Sequence, residues 1–485
     1  MQSLIWARSG LFVLALMASF HLCTMESRAQ MVFNRGTASE PPTLDPNKAI
    51  AQSAAPIIED MFLTLLETGP DLETIPGAAE SWTASEDGLT YTFKLKPGLT
   101  WSDGVPLTAD DFVYTFQRFL DPKTAATFAS FLYVVENARA VNGGTLPPEA
   151  VGIAALDPLT VEIRLEQPVP YFLDLMARST FSPVPRHAIE EHGNNWTRPG
   201  IMVSNGPYIL AERVPQSHIK LVKNPLFHEA DSVAIDEIYY YPTQDLQTAF
   251  NRFRAGELDF ILSFPPDKID LIRETMPDAL RVVPALGSYF VSFQTQRPPF
   301  NDPRVRRAVS LAVDRTIITE QILGTGVRPG NSIVPAGFTG YTSPELEETG
   351  LSIEQRQQLA RDLLSEAGYS AANPLRFTYS FDSQDESRKV AIALAAMWKA
   401  AGIEVELVDK EFRALIGDRM SGNFEALRFA FFSPLDDPYF FLELLESDNP
   451  GNSSRYSNPA FDEMLRQSNF IADRAERMEF LAHAD

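Results

Sequence analysis

The chain has 485 residues, enough for at least two hydrophobic cores. Its 45% apolar and 22% charged residues, without low-complexity tracts or a fixed-period repeat, exclude a coiled coil, a solenoid and a disordered chain. A formal net charge of −23 with no basic patch argues against nucleic-acid partners and anionic membrane surfaces.

The chain opens with Trp6, Ala7 and Arg8, followed by an apolar run from Leu11 to Met17 that is too short to span a bilayer. Ser27-Arg28-Ala29 places small residues at the −3 and −1 positions of a cleavage site, so residues 1–29 read as a secretory signal peptide cut after Ala29. The one cysteine, Cys23, lies inside this segment, and the residue before it, Leu22, is too large for a lipid-anchor site. The exported chain then holds no thiol, which removes disulfides, thiolate catalysis and cysteine metal sites together.

A short extended stretch runs from Asn34 to Asp45, and a helix is predicted near Ile57 to Leu66. Tyr91, Phe93 and Leu95 alternate with Thr92 and Lys94 as in a half-buried strand. Trp101-Ser102-Asp103-Gly104 reads as a turn. Thr108 follows as an N-cap, with Asp110 and Asp111 set against the helix dipole. Ser352 and Gln355 form a capping-box signature before Leu359, Leu363, Leu364 and Ala367, and Gly368 ends that helix. A strand from Leu375 to Phe381, a helix from Val390 to Ala401 closed by Gly402, and a strand carrying Ile403, Val405 and Leu407 complete a βαβ pattern. Strands alternating with helices predict α/β layers. With no long linker, two lobes would share the chain through several crossings, and a cleft between them is a natural ligand site.

Catalytic signatures are missing. There is no glycine-rich loop ending in Gly-Lys-Ser/Thr and no Gly-x-Ser-x-Gly elbow, while Gly324, Gly326 and Gly330 miss the dinucleotide spacing by one residue. Ser217-His218-Ile219-Lys220 fits a bare Ser-x-x-Lys pattern, yet it lies in a strand-like run where Lys cannot reach back to Ser. His187 and His192 are five residues apart, where a helical metal pair needs four. Neither an enzyme nor a metal or other cofactor is expected.

Ordered blocks along the chain then carry a resemblance. They include Leu44-Asp45-Pro46, Ala78-Ala79-Glu80-Ser81-Trp82, Trp101-Ser102-Asp103-Gly104, Pro168-Val169-Pro170-Tyr171-Phe172, Ser204-Asn205-Gly206-Pro207-Tyr208, Gly256-Glu257-Leu258-Asp259 and Pro299-Phe300-Asn301-Asp302. From about Phe33 to its last residues the chain resembles the periplasmic oligopeptide-binding proteins, family 5 of the extracellular solute-binding proteins, which feed ABC importers. The resemblance implies an α/β, two-lobed periplasmic-binding-protein (Venus-flytrap) fold with an additional inserted domain. Lobe I would take 30–62 and 186–287, the additional domain 63–185, and lobe II 288–485. The family's chain returns to lobe I at its end. Here it stops at Asp485 inside a predicted helix, so the C-terminal end is expected to be truncated and the lobe I sheet to show an unpaired edge.

Function follows from the same resemblance: a monomeric periplasmic receptor that holds a peptide or peptide-like ligand between its lobes and delivers it to an ABC permease in the inner membrane. The family pairs ligand main chain with both lobes, and the matching segments are Ile50-Ala51-Gln52 and Ala430-Phe431-Phe432. The anchors depart from the family. Its aspartate for the ligand's amino terminus falls at Pro434, and Asp436 or Asp437 could substitute. An acidic position falls at Ile50, a carboxylate-binding lysine at Leu323, a histidine at Ser387, and a pocket tyrosine at Phe128. Arg419 and Arg428 do match, as takers of a ligand carboxylate or as members of internal ion pairs. Phe128, Phe412, Phe431 and Phe432 make the expected pocket aromatic. These departures predict a blocked, modified or more apolar peptide as ligand. A non-peptide solute (an opine, a sugar or a metal chelate) is the alternative, and an exported peptide hydrolase a remote one.

Overall fold

In a computed structural model the structure describes residues 30–485 except 50–52, 71–72, 284, 347, 349 and 450. The predicted signal peptide and the Ile50-Ala51-Gln52 segment therefore lie outside the described residues. Three four-stranded sheets organise the chain. The N-terminal sheet runs Val32–Thr37, Glu237–Pro242, His218–Lys223, Tyr208–Val214; its first pair is parallel and the rest antiparallel. The second sheet, Ala79–Ala84, Thr90–Leu95, Thr160–Arg164, Ile153–Asp157, is antiparallel throughout. The C-terminal sheet runs Gly287–Phe293, Ala426–Phe432, Leu375–Asp382, Ile403–Lys410 and is mixed.

Local chemistry accounts for most elements. Ser352 caps Ile353–Glu366 through a reciprocal pair: Gln355 N–H donates to Ser352 Oγ at 3.3 Å and Ser352 N–H to Gln355 Oε1 at 2.9 Å. Gly368, at φ +93°, then takes the left-handed turn that a side chain would resist. The helix predicted from Val390 starts earlier, as Asp385–Ala400. Its first turn holds Asp385 and Glu386, which suit the positive end of the helix but interrupt an apolar pattern. His218 and Lys220 do fall in a strand, where Lys220 pairs with Glu237 at 2.8 Å.

The helix predicted over 57–66 is shorter, Ala55–Met61. Long-range partners end it. Asn205 accepts from Leu63 N–H at 3.1 Å and donates from its amide to Leu63 O at 2.9 Å, while Gly206 N–H takes Met61 O at 2.8 Å. A side chain at Gly206 would place its Cβ 2.6 Å from the Met61 backbone, so only glycine allows this approach. The Ser204-Asn205-Gly206 block thus staples the chain where it passes between the first two sheets. Leu44-Asp45-Pro46 has a similar task. Arg118 forks onto the buried Asp45 at 2.6 and 3.1 Å and onto Asn47 at 2.6 Å.

One hydrophobic core lies under the first two sheets, and it also takes in Leu435 and Phe440 from beyond the C-terminal sheet. A second core fills the C-terminal sheet and its helices around Phe300, Phe377 and Trp398. A third gathers Val334, Phe338, Phe441, Leu465, Met478 and Leu481. On the outer side of Val32–Thr37, Gly36 N–H donates to Phe260 O at 2.8 Å and Asp259 N–H to Asn34 O at 2.7 Å.

Candidate functional site

The strand Ala426–Phe432 is rich in phenylalanine, which suits a pleated, half-buried surface. It pairs over its whole length with Gly287–Phe293, so that Ala430 faces Tyr289, Phe431 faces Ser288 and Phe432 faces Gly287. Its other neighbour, Leu375–Asp382, pairs with it only at Ala426 and Leu427. Where that ladder stops, Arg428 Nη1 meets the buried Asp382 at 2.8 Å. From Arg428 to Phe432 one backbone edge of the strand is thus unpaired among the described residues. A Cβ at Gly287 would fall 2.3 Å from the Phe432 ring, so this glycine lets the ring, 66% exposed, lie across the strand pair.

The two matching arginines part company here. Arg428 has its ion pair and also covers the Tyr289 ring at 4.6 Å. Arg419, from the helix Phe412–Ser421, lies over Phe429 at 4.2 Å and has no carboxylate within ion-pair distance among the described residues. Successive strand residues face opposite ways, so the guanidiniums approach from opposite faces. Burial pushes the pKa of Arg419 down without a carboxylate to offset it.

The loop after the strand carries the two acids that follow Pro434. Asp436 is engaged: it accepts from Thr339 N–H at 3.0 Å and pairs with Arg474 at 3.0 Å. Asp437 is buried against Arg477, whose Nη1 and Nη2 donate at 2.5 and 3.2 Å. Both carboxylates thus have a cationic partner within the chain. Leu323 ends a helical turn and packs on the second core, and Ser387 is buried in the helix Asp385–Ala400. Phe412, at the first turn of its helix, is 52% exposed and makes no ring contact among the described residues.

Phe128 stacks on Phe131, centroids 5.5 Å apart and planes within 5°. Arg178 covers Phe131 at 5.3 Å, and its Nη1 donates to the carbonyl oxygen of Pro434. Arg178 goes unmarked in the sequence. A cation one residue from Ser179-Thr180-Phe181 carries no periodic signal, and only tertiary packing brings it to Pro434. The same junction holds Tyr171 against Phe440 at 4.9 Å and Tyr439 at 5.9 Å, and Arg474 within 3.9 Å of Asp174. Beneath it burial, then Glu446 and Asp437, raise the Glu443 pKa to about 7.

The histidines singled out by sequence are structurally engaged: His187 bonds Asp103 at 2.8 Å and His192 lies 3.7 Å from Glu191. Among the described residues no group of three or more possible metal ligands converges, and no helix is long and apolar enough to cross a membrane. The strand thus brings together a free backbone edge, exposed aromatic side chains and a guanidinium without an acidic partner among the described residues.

Comparison with known proteins gives the lineage. The family model for bacterial extracellular solute-binding proteins, family 5, matches residues 73–453. The chain is 36% identical to the probable deoxycholate-binding periplasmic protein YgiS of Escherichia coli over 487 aligned residues, covering 100% of this chain and 91% of the relative. It is 37% identical to the periplasmic murein peptide-binding protein MppA of Escherichia coli over 440 residues, covering 90% and 81%. The unliganded, open form of MppA superposes with a TM-score of 0.86 at 35% identity, covering 94% of this chain and 89% of that one. The matched relatives are binding proteins, not enzymes. With its three sheets and two-lobed relatives, the chain belongs to family 5 of the bacterial extracellular solute-binding proteins and has their periplasmic-binding-protein fold.

Proposed function

We infer that this protein is the periplasmic receptor of an ABC importer and takes up a peptide-like solute along the free edge of Arg428–Phe432. The unpaired edge is the observation that carries this reading. Along the side of Arg428–Phe432 away from Gly287–Phe293, alternate residues offer main-chain donors and acceptors that no neighbouring strand uses, and an extended ligand backbone satisfies them by strand addition. Phe432 is exposed beside the strand pair, and Arg419 is a cation free to take a ligand carboxylate. Ile50-Ala51-Gln52 is the proposed partner on the opposite lobe. The ligand is proposed to lack a free amino terminus, because Pro434 accepts no ammonium through its side chain and Asp436 and Asp437 are occupied. Mass spectrometry of solute co-purified from the periplasm, followed by calorimetry with the identified compound and its N-acetylated form, tests this. A requirement for a free amine defeats it.

One observation favours a second reading. The YgiS relative, aligned over this whole chain, is described as probably deoxycholate-binding, and the site is walled by phenylalanines. A rigid apolar acid as ligand would need no strand addition. Main-chain N-methylation of a bound peptide separates the two readings, since only strand addition is sensitive to it.

A further inference from the structure

We propose that Arg178 selects the ligand by charge: the end of the ligand that reaches the Pro434 corner carries a carboxylate. This rests on the cleft reading above and deepens it. The Pro434 position, where the resembled family keeps an ammonium-binding aspartate, here offers a backbone carbonyl to a guanidinium, so the sign of the fixed charge at the corner is reversed.

The surroundings fix the sign locally. A guanidinium has five N–H donors, and Arg178 is recorded using one, to Pro434 O; its buried Nε has no partner. No carboxylate lies within ion-pair distance of Arg178 among the described residues. Glu59, an exposed carboxylate that accepts from Ser179 Oγ at 3.4 Å, acts on it from beyond ion-pair distance. The other acids of the corner are matched: Asp436 with Arg474, Asp437 with Arg477, and Asp174 with Thr74 and Arg474. At Pro434 itself an incoming ammonium meets the Arg178 guanidinium, while Asp174, Asp436 and Asp437 already have cationic partners. An incoming carboxylate meets a half-buried guanidinium lying 5.3 Å from the Phe131 ring centroid, with N–H donors left over beyond the one given to Pro434 O.

The test uses the full exported chain and three probes: trialanine, N-succinyl-trialanine and deoxycholate, with calorimetry on wild type, Arg178→Gln and Arg178→Lys. N-succinyl-trialanine is expected to bind at least tenfold tighter than trialanine. Arg178→Gln should erase that ratio and Arg178→Lys should keep part of it. A merely structural role would weaken both peptides alike and leave the ratio unmoved. Equal or tighter binding of trialanine, an unchanged ratio in Arg178→Gln, or no binding of any probe overturns the proposal. If only deoxycholate binds, and Arg178→Gln loses it at least tenfold, the charge assignment stands and the peptide reading falls.

Discussion

At the scale of residues, the buried pair Asp437–Arg477 shows how function-like sequence features become structure. Two acids follow Pro434, and both find arginines some forty positions later in the chain. Asp437→Ala would leave a guanidinium buried without its partner and is expected to lower stability by about 3–5 kcal/mol, read as a shift in the urea midpoint with unchanged slope. Glu443 gives a pH test. Its folded pKa, about 7, stands above the ordinary value of 4.5, so the folded state holds the proton more tightly. That contribution is complete below the ordinary value and is lost as pH rises through about 7. Glu443→Gln should therefore raise stability at pH 8, on the order of 1–3 kcal/mol, and give no gain at pH 5; thermal melts at the two pH values decide. The sequence showed which acids lay near Pro434. It could not show which were already paired, because the pairing partners come from a different helix.

At the scale of elements, periodicity was legible wherever burial is one-sided. The strand at Thr90–Leu95 and the capped helix Ile353–Glu366 follow from residue spacing alone. Elements ended by distant partners did not. Ala55–Met61 stops because Asn205 and Gly206 seize the next backbone groups, and no local breaker marks that point. The free edge of Arg428–Phe432 is likewise a matter of pairing: an apolar run looks the same with one neighbour or two. If a peptide ligand adds to this edge, each main-chain N-methyl group placed against it removes a hydrogen bond worth about 1 kcal/mol. Affinity in calorimetry should then fall roughly five- to tenfold per methyl. Equal affinity for methylated and unmethylated peptides would show that the edge is not used.

At the scale of the molecule, the first core reaches across to Leu435 and Phe440, so the C-terminal sheet hangs from the rest by a packed joint. That joint, with Tyr171 between Tyr439 and Phe440, can act as a hinge while the far ends of the lobes move. Added ligand should reduce the radius of gyration in small-angle scattering, and an unchanged radius at saturation would contradict closure. The sequence by itself determined the family and the α/β character, because ordered motifs and spacing survive in one dimension. Only the tertiary structure decided that Asp436 and Asp437 are taken, that Arg419 and Arg428 differ, and that Arg178 stands at Pro434. Each of these is a question of which charges meet, and charges far apart in the chain meet only once the backbone has folded.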